Sequence, residues 1–185
     1  MKIQTKLRRK KYIFETKAGL FSKDKVDKGS ALLIENMTIQ NGDKVIDLGC
    51  GYGAIGIVAA RLTPSGFVYL VDTDIRAVKY SQINVKLNKV NNVAIVASDG
   101  FEKIPRDLIF NIVVSNPPSH MPKETIIEFI QGAKEHLVDN GKLYFVTERR
   151  IKPLIKRLFT KYFENYKTLT SKAQYVVSIA YKRKD

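Results

Sequence analysis

The sequence predicts an α/β protein: a mostly parallel sheet with helices on both faces and an antiparallel hairpin at its C-terminal end. Three observations carry this. Short apolar runs of strand length, near 44–48, 67–71, 93–97, 108–115 and 142–147, alternate with stretches of helical spacing, the pattern of parallel strands joined by crossovers. Two further strand-like runs, 166–170 and 175–181, stand too close together for a crossover helix and must pair antiparallel. Polar residues gather just past the ends of the first four parallel strands, where open sheets of this kind bind ligands.

The elements follow in order. Residues 2–17 read as extended, as two short strands, with the basic cluster Arg8-Arg9-Lys10-Lys11 beside Tyr12 and Phe14. That mixture suits backbone and stacking contact with nucleic acid, or equally a soluble basic edge. A turn at 18–22 leads to Asp27, which caps a helix reaching about Met37. Asn41-Gly42 turns the chain into the strand 44–48, and the glycine-rich Gly49-Cys50-Gly51-Tyr52-Gly53 follows. Ile55, Val58, Ala59 and Leu62 then recur at helical spacing, up to a stop at Pro64-Ser65-Gly66. The strand 67–71 ends in Asp72-Thr73-Asp74. The helix after it, 75–88, has Tyr80, Ile83 and Leu87 on one face. The strand 93–97 ends in Ser98-Asp99-Gly100, and the next ends in Asn116-Pro117-Pro118-Ser119. Two prolines there can neither continue a strand nor enter a helix interior, so the chain is held extended. A helix over 123–137, a turn at Asp139-Asn140-Gly141, a fifth strand over 142–147 and a helix over 151–160 complete the alternation before the hairpin.

Length, 185 residues without a linker or repeat, favours a single domain spanning 1–185, with residues 1–28 as a basic extension packed on it. One cysteine, Cys50, excludes a disulfide framework and a Cys-rich zinc site, and no metal is expected. There is no apolar run of membrane-spanning length and no signal-peptide core, so no membrane partner and a cytoplasmic location are expected. The net charge of +14 is unevenly spread: residues 1–28 carry +7 and residues 149–185 carry +9, while the middle carries −2. Two basic ends point to a polyanion such as RNA or DNA as partner, with a solvated face serving solubility as the alternative.

The strand ends carry the chemistry. Gly51 to Gly56 fits the G-x-G-x-x-G dinucleotide pattern, and Asp72, 19 residues beyond Gly53, suits a carboxylate on ribose hydroxyls. Two features argue against a nicotinamide cofactor. Asp47, just before the glycines, disfavours a pyrophosphate and favours an ammonium, and Asn116-Pro117-Pro118 is left without a role. S-adenosyl-L-methionine has an ammonium, a ribose and an adenine. Glycines 49, 51 and 53 admit its close approach; Asp47 would face the ammonium through water, Asp72 the ribose and Asp99 the adenine amino group.

The motifs 47–53, Asp72, Asp99 and Asn116-Pro117-Pro118, in this order, resemble those of class I S-adenosylmethionine-dependent methyltransferases, whose Rossmann-like sheet has seven strands and ends in such a hairpin. The N-P-P element resembles the branch that methylates exocyclic or amide nitrogens. Gly19-Leu20-Phe21-Ser22 followed by Val26-Asp27-Lys28-Gly29-Ser30 is similar to the small-subunit ribosomal RNA guanine-N2 methyltransferase family and its short archaeal relatives, over residues 16–182. The resemblance implies methyl transfer to an amino nitrogen, of guanine in structured RNA, ribosomal or transfer; a protein amide or an adenine amino group is the alternative acceptor. A nucleic-acid-binding module with a relic cofactor pocket is the reading from another class. Asn116 Oδ1 and the Pro117 carbonyl would each accept a hydrogen of the target amino group, with Pro118, Ser119, His120 and Phe21 around it. Ser119 stands where family members that flip a base carry an aromatic residue, so either a stacking surface comes from elsewhere, with His120 and Phe21 as candidates, or the target is not a base. Cys50 is read as a packing residue. The full-length ribosomal enzymes carry a second, N-terminal domain to which nothing here corresponds, so the basic ends, a partner or an oligomer would select the substrate.

Overall fold

The computed structural model describes residues 1–20, 22 and 24–184. Two strands, β1 (Lys2–Leu7) and β2 (Lys10–Glu15), form a separate hairpin. The main body then runs α1 (Lys28–Asn36), β3 (Lys44–Leu48), α2 (Ala54–Leu62), β4 (Phe67–Asp72), α3 (Ile75–Leu87), β5 (Val93–Ala97), β6 (Phe110–Ser115), α4 (Lys123–His136), β7 (Leu137–Glu148), α5 (Lys152–Phe163), β8 (Lys167–Lys172) and β9 (Tyr175–Tyr181). Seven strands make one sheet in the order β5-β4-β3-β6-β7-β9-β8. The pairs among β3 to β7 are parallel, while β9 runs antiparallel to both β7 and β8. The expected fold class is therefore the observed one.

Strand order reverses between β3 and β6, which lie side by side while their successors lead to opposite edges. Such a switch point opens a crevice beyond the strand ends, because the following connections leave to opposite faces. Leu48 pairs with Ser115 at that point, and the Ser115 hydroxyl donates to the Leu48 carbonyl at 2.8 Å. The next residues are Gly49 on one strand and Asn116 on the other. Two apolar layers hold the sheet. One packs α1, α2 and the hairpin residues Ile3, Leu7, Tyr12 and Phe14 against Val45, Val68 and Val114. The other packs Phe129 and Ile130 of α4 and Phe159 of α5 against Ile46, Val113 and Phe145.

Four local expectations change. Leu87 of α3 is 37% exposed, and the buried face of that helix is Ala77, Ser81, Asn84 and, just beyond its end, Asn88. Hydrophobic spacing misses this face because its polar groups bond to the edge of β2. Asn84 exchanges bonds with the Glu15 N–H and carbonyl (2.6 and 3.0 Å), and Asn88 does the same with Ile13 (3.2 and 2.7 Å). Tyr12 and Phe14 are buried, so they offer no stacking surface to nucleic acid. The turn at 139–141 lies inside β7 as an irregularity, with Phe110 opposite Leu137 but Ile112 opposite Lys142, and Asn140 at φ 61°. No helix covers 98–109 between β5 and β6, and Ile109 is exposed ahead of β6.

Arg8 and Arg9 turn the hairpin with φ of 46° and 63°, a conformation usually given to Asn-Gly. Arg8 gains a partner in return: its guanidinium donates to the Ile34 carbonyl at 2.6 Å and also to those of Glu35 and Met37, the open carbonyl end of α1. Arg61, at the far end of α2, donates to the Lys11 carbonyl and lies over the Tyr12 ring. Among the described residues no helix is long and apolar enough to cross a membrane.

Candidate active site

A cleft of about 420 Å³ opens at the switch point. Its walls come from the loop after β3 (Gly49 to Tyr52), the ends of β4 and β5 (Asp72, Asp99), the start of α1 (Asp27, Ser30) and the segment after β6 (Asn116, Pro118, His120). Phe129 of α4 closes one side.

The glycine loop is shaped by the strand next to it. The N–H groups of Gly49 and Cys50 both donate to the Val71 carbonyl, at 2.8 and 2.9 Å. Gly51 N–H donates to Asp72 Oδ2 at 2.8 Å, and Asp72 Oδ1 accepts from Asp74 N–H at 2.9 Å. From beneath, Ser81 of α3 donates to the Gly51 carbonyl (2.8 Å) and Asn84 to the Tyr52 carbonyl (2.9 Å). Gly49 and Gly51 have φ of 70° and 58°, and a Cβ on either would meet no atom of a described residue within 4 Å. Their lack of a side chain thus leaves an open cradle. Gly53 differs. It begins α2 at φ 92°, and a Cβ there would press on Leu70, Ser81 and Ile57 at 3.0 to 3.2 Å. It serves packing and turn geometry, and it does not line the cleft.

Asp47 also departs from its expected place. It is fully buried under the loop and is not part of the cleft wall. Its Oδ2 accepts from Gly56 N–H at 2.9 Å, and its Oδ1 has no hydrogen-bond partner among the described residues. Burial pushes its pKa up to about 7, with the Gly56 bond opposing and the Asp72 charge adding to the rise. Burial also raises Asp72, against the pull of its two N–H partners. The Cys50 thiol is pushed well up by burial and then by the charges of Asp47 and Asp72, so it stays neutral, as suits a packing residue rather than a nucleophile. Asp99 lines the cleft from an exposed position.

On the other side, Asn116 is held through its nitrogen. Nδ2 donates to Asp27 Oδ2 at 2.9 Å and to Ser30 Oγ at 2.8 Å. Its oxygen accepts no hydrogen bond from a described residue. Pro117 is buried and Pro118 forms the wall. Ser119 does not line the cleft, and its carbonyl accepts from Arg150 at 3.1 Å. His120 lines the mouth. Phe21 lies outside the described residues. Among the described residues, Tyr52, which packs on Phe14, and Phe129, which lies against Gly100, bring aromatic rings to the cleft beside the His120 imidazole. Sequence reasoning missed Ser30, Phe129 and the site role of Asp27. Phe129 shares the apolar spacing of the α4 core face, and Asp27 reads fully as a cap.

The family model for the methyltransferase small domain matches residues 11–179. A Bacillus subtilis protein, the uncharacterized YbxB, is 33% identical over 148 residues, covering 78% of this chain and 73% of that protein. The ribosomal RNA small subunit methyltransferase C of Buchnera aphidicola is 34% identical over 176 residues, 93% of this chain and 51% of the relative. Among solved structures, the T. thermophilus 16S rRNA N2 methyltransferase RsmC, in complex with AdoMet and guanosine, superposes with a TM-score of 0.89 at 28% identity, over 99% of this chain and 50% of that one. The chain thus spans about half the length of the ribosomal RNA methyltransferases it matches. In sequence and in fold, the chain belongs to the methyltransferase small-domain family.

Proposed function

We propose that this protein transfers the methyl group of S-adenosyl-L-methionine to the exocyclic amino group of a guanine in structured RNA, ribosomal RNA first, in the cytoplasm. The observation that carries the reading is the Asn116 amide: its two hydrogens are spent on Asp27 and Ser30, which leaves its oxygen as an acceptor beside the glycine loop. The likeness to an N2 methyltransferase over the whole chain supports guanine as the target.

The residues fit the cofactor. The open cradle over Gly49 and Gly51 admits close approach to backbone, and the unpartnered Oδ1 of Asp47 puts a buried acceptor beneath it, suited to an ammonium through the loop. Asp72 would take the ribose hydroxyls, and Asp99, with Phe129 behind Gly100, the adenine. When bound, the cofactor supplies an electrophilic methyl on a sulfonium. The protein's part is positional. An aromatic amino nitrogen shares its lone pair with its ring. Accepting its two hydrogens at Asn116 Oδ1 and the Pro117 carbonyl would orient it and draw the lone pair out of conjugation. His120 at the mouth would stack on the base, the task that Ser119 leaves open.

The two basic ends would contribute unequally. Arg149 and Arg150 follow β7 at the same sheet edge as Asn116, and Arg150 touches Ser119, so the C-terminal segment borders the acceptor mouth. The turn at Arg8 and Arg9 sits at the opposite end of α1 from Asp27, about 13 Å along a nine-residue helix. It would meet only a distant part of a folded RNA. The test is digestion of RNA to nucleosides with mass detection after incubation with enzyme and cofactor. Appearance of N2-methylguanosine is expected; methyl transfer to protein or adenine alone would overturn the guanine assignment.

A further inference from the structure

We propose that Asp27 is a positioning residue that, gripped by Ser30 and Tyr175, fixes the orientation of the Asn116 amide and strengthens its oxygen as an acceptor. The inference rests on the reading of Asn116 as the group that holds the target amino nitrogen. It accounts for a motif, Val26-Asp27-Lys28-Gly29-Ser30, that a helix cap alone does not require.

A primary amide can face a neighbour with either its oxygen or its nitrogen. A carboxylate only accepts, so the Asp27 contact at 2.9 Å forces nitrogen toward Asp27 and oxygen toward the cleft. Both hydrogens are then used, one on a charged acceptor and one on Ser30 Oγ at 2.8 Å. Charge-assisted bonds of this kind polarise the amide and place more negative charge on its oxygen. Asp27 is itself held: Oδ2 also accepts from Ser30 N–H at 2.9 Å, and Oδ1 accepts from the Tyr175 hydroxyl at 3.1 Å. The Tyr175 hydroxyl keeps its proton, since burial first and the Asp27 charge second raise its pKa. Gly29 has its place for a steric reason. A Cβ there would lie 2.9 Å from Asp27 Oδ2 and 2.9 to 3.0 Å from the Tyr175 ring. Asp27 and Ser30 are therefore accounted for by two bonds to Asn116, 89 and 86 positions later, and Gly29 by the room that Asp27 and Tyr175 need beside it.

The test uses Asp27→Asn, Tyr175→Phe, Asn116→Ala and the double variant Asn116→Ala with Asp27→Asn, in the full chain. Asparagine caps a helix about as well as aspartate, so the fold survives the first change. Melting temperature and calorimetric affinity for S-adenosyl-L-methionine should stay near wild type. The single-turnover rate at saturating RNA should fall about tenfold in Asp27→Asn and about threefold in Tyr175→Phe. The double variant should be no slower than Asn116→Ala alone, because Asp27 acts through Asn116. The Asn116 side-chain amide resonances, identified by their loss in Asn116→Ala, should shift and exchange faster with solvent in Asp27→Asn. A wild-type rate in Asp27→Asn, a further loss in the double variant, or unmoved amide resonances would overturn the proposal. If the wild-type protein methylates no RNA, the functional reading falls, while the amide resonances still decide the role of Asp27.

Discussion

The two halves of the cleft are built by different means. The half at the glycine loop is made by residues close in sequence or one strand apart: Gly49 and Cys50 on Val71, Gly51 on Asp72. Backbone N–H groups do most of the holding there. The half at Asn116 is made by side chains far apart in the chain, with Asp27 reaching 89 residues to Asn116 and 148 to Tyr175. A loop held largely by backbone bonds depends on the left-handed conformation of its glycines and on a few supporting side chains, Asp72, Ser81 and Asn84. A side-chain network stands or falls with single atoms. Substitutions should therefore separate into those that weaken cofactor binding and those that slow transfer.

Asn116→Ala should give the largest effect. Loss of the acceptor oxygen is expected to cut the transfer rate about a hundred- to a thousandfold, with cofactor affinity, by calorimetry, within about twofold of wild type. Parallel loss of both would erase the division between the halves. Asp72→Ala should do the reverse, lowering cofactor affinity by ~2–3 kcal/mol, since it removes both the proposed ribose acceptor and the bond that shapes Gly51. A rate measured at saturating cofactor should recover most of the loss.

A pH series sharpens the comparison, because Asp47 lies under the first half only. Its pKa, about 7, is raised above the ordinary carboxylate value, so the folded state binds a proton that the unfolded chain has released. That contribution is complete below the ordinary carboxylate pKa and is lost as pH rises through about 7. From pH 5 to pH 8 the wild type should lose on the order of 2 kcal/mol relative to Asp47→Asn, read from denaturant melts. A constant difference across that range would show that Asp47 does not titrate there. The smallest effect is expected at the rim. Arg150→Ala should raise the KM for RNA about fivefold and make the salt dependence of RNA binding shallower by about one unit of log–log slope, whereas Lys10→Ala should change KM less than twofold. Equal effects would place RNA on both ends of the molecule.

Local physics made much of this legible. The strands, the Asp27 cap, the glycine loop and the polar strand ends all rest on periodicity, turn chemistry or spacing within about 20 residues. The misreadings share one cause. Tyr12 and Phe14 looked free for stacking beside four basic residues, but the hairpin folds them inward. The inner face of α3 looked apolar at Leu87, but Asn84 and Asn88 turn inward because the edge of β2 offers them unpaired backbone groups. Asp47 looked like a cleft residue, but the loop it precedes folds over it.

By itself, then, the sequence determined the α/β alternation, the terminal hairpin and the identity of the groups at the strand ends, because strand period, helix period and glycine turns act over a few residues. Only the tertiary structure decided which of those groups face the cleft and what holds them. Strand order brings β3 beside β6 and carries α1 and β9 to the same edge, and no local preference encodes that the nitrogen of Asn116 will meet a carboxylate from residue 27 and, through it, a hydroxyl from residue 175.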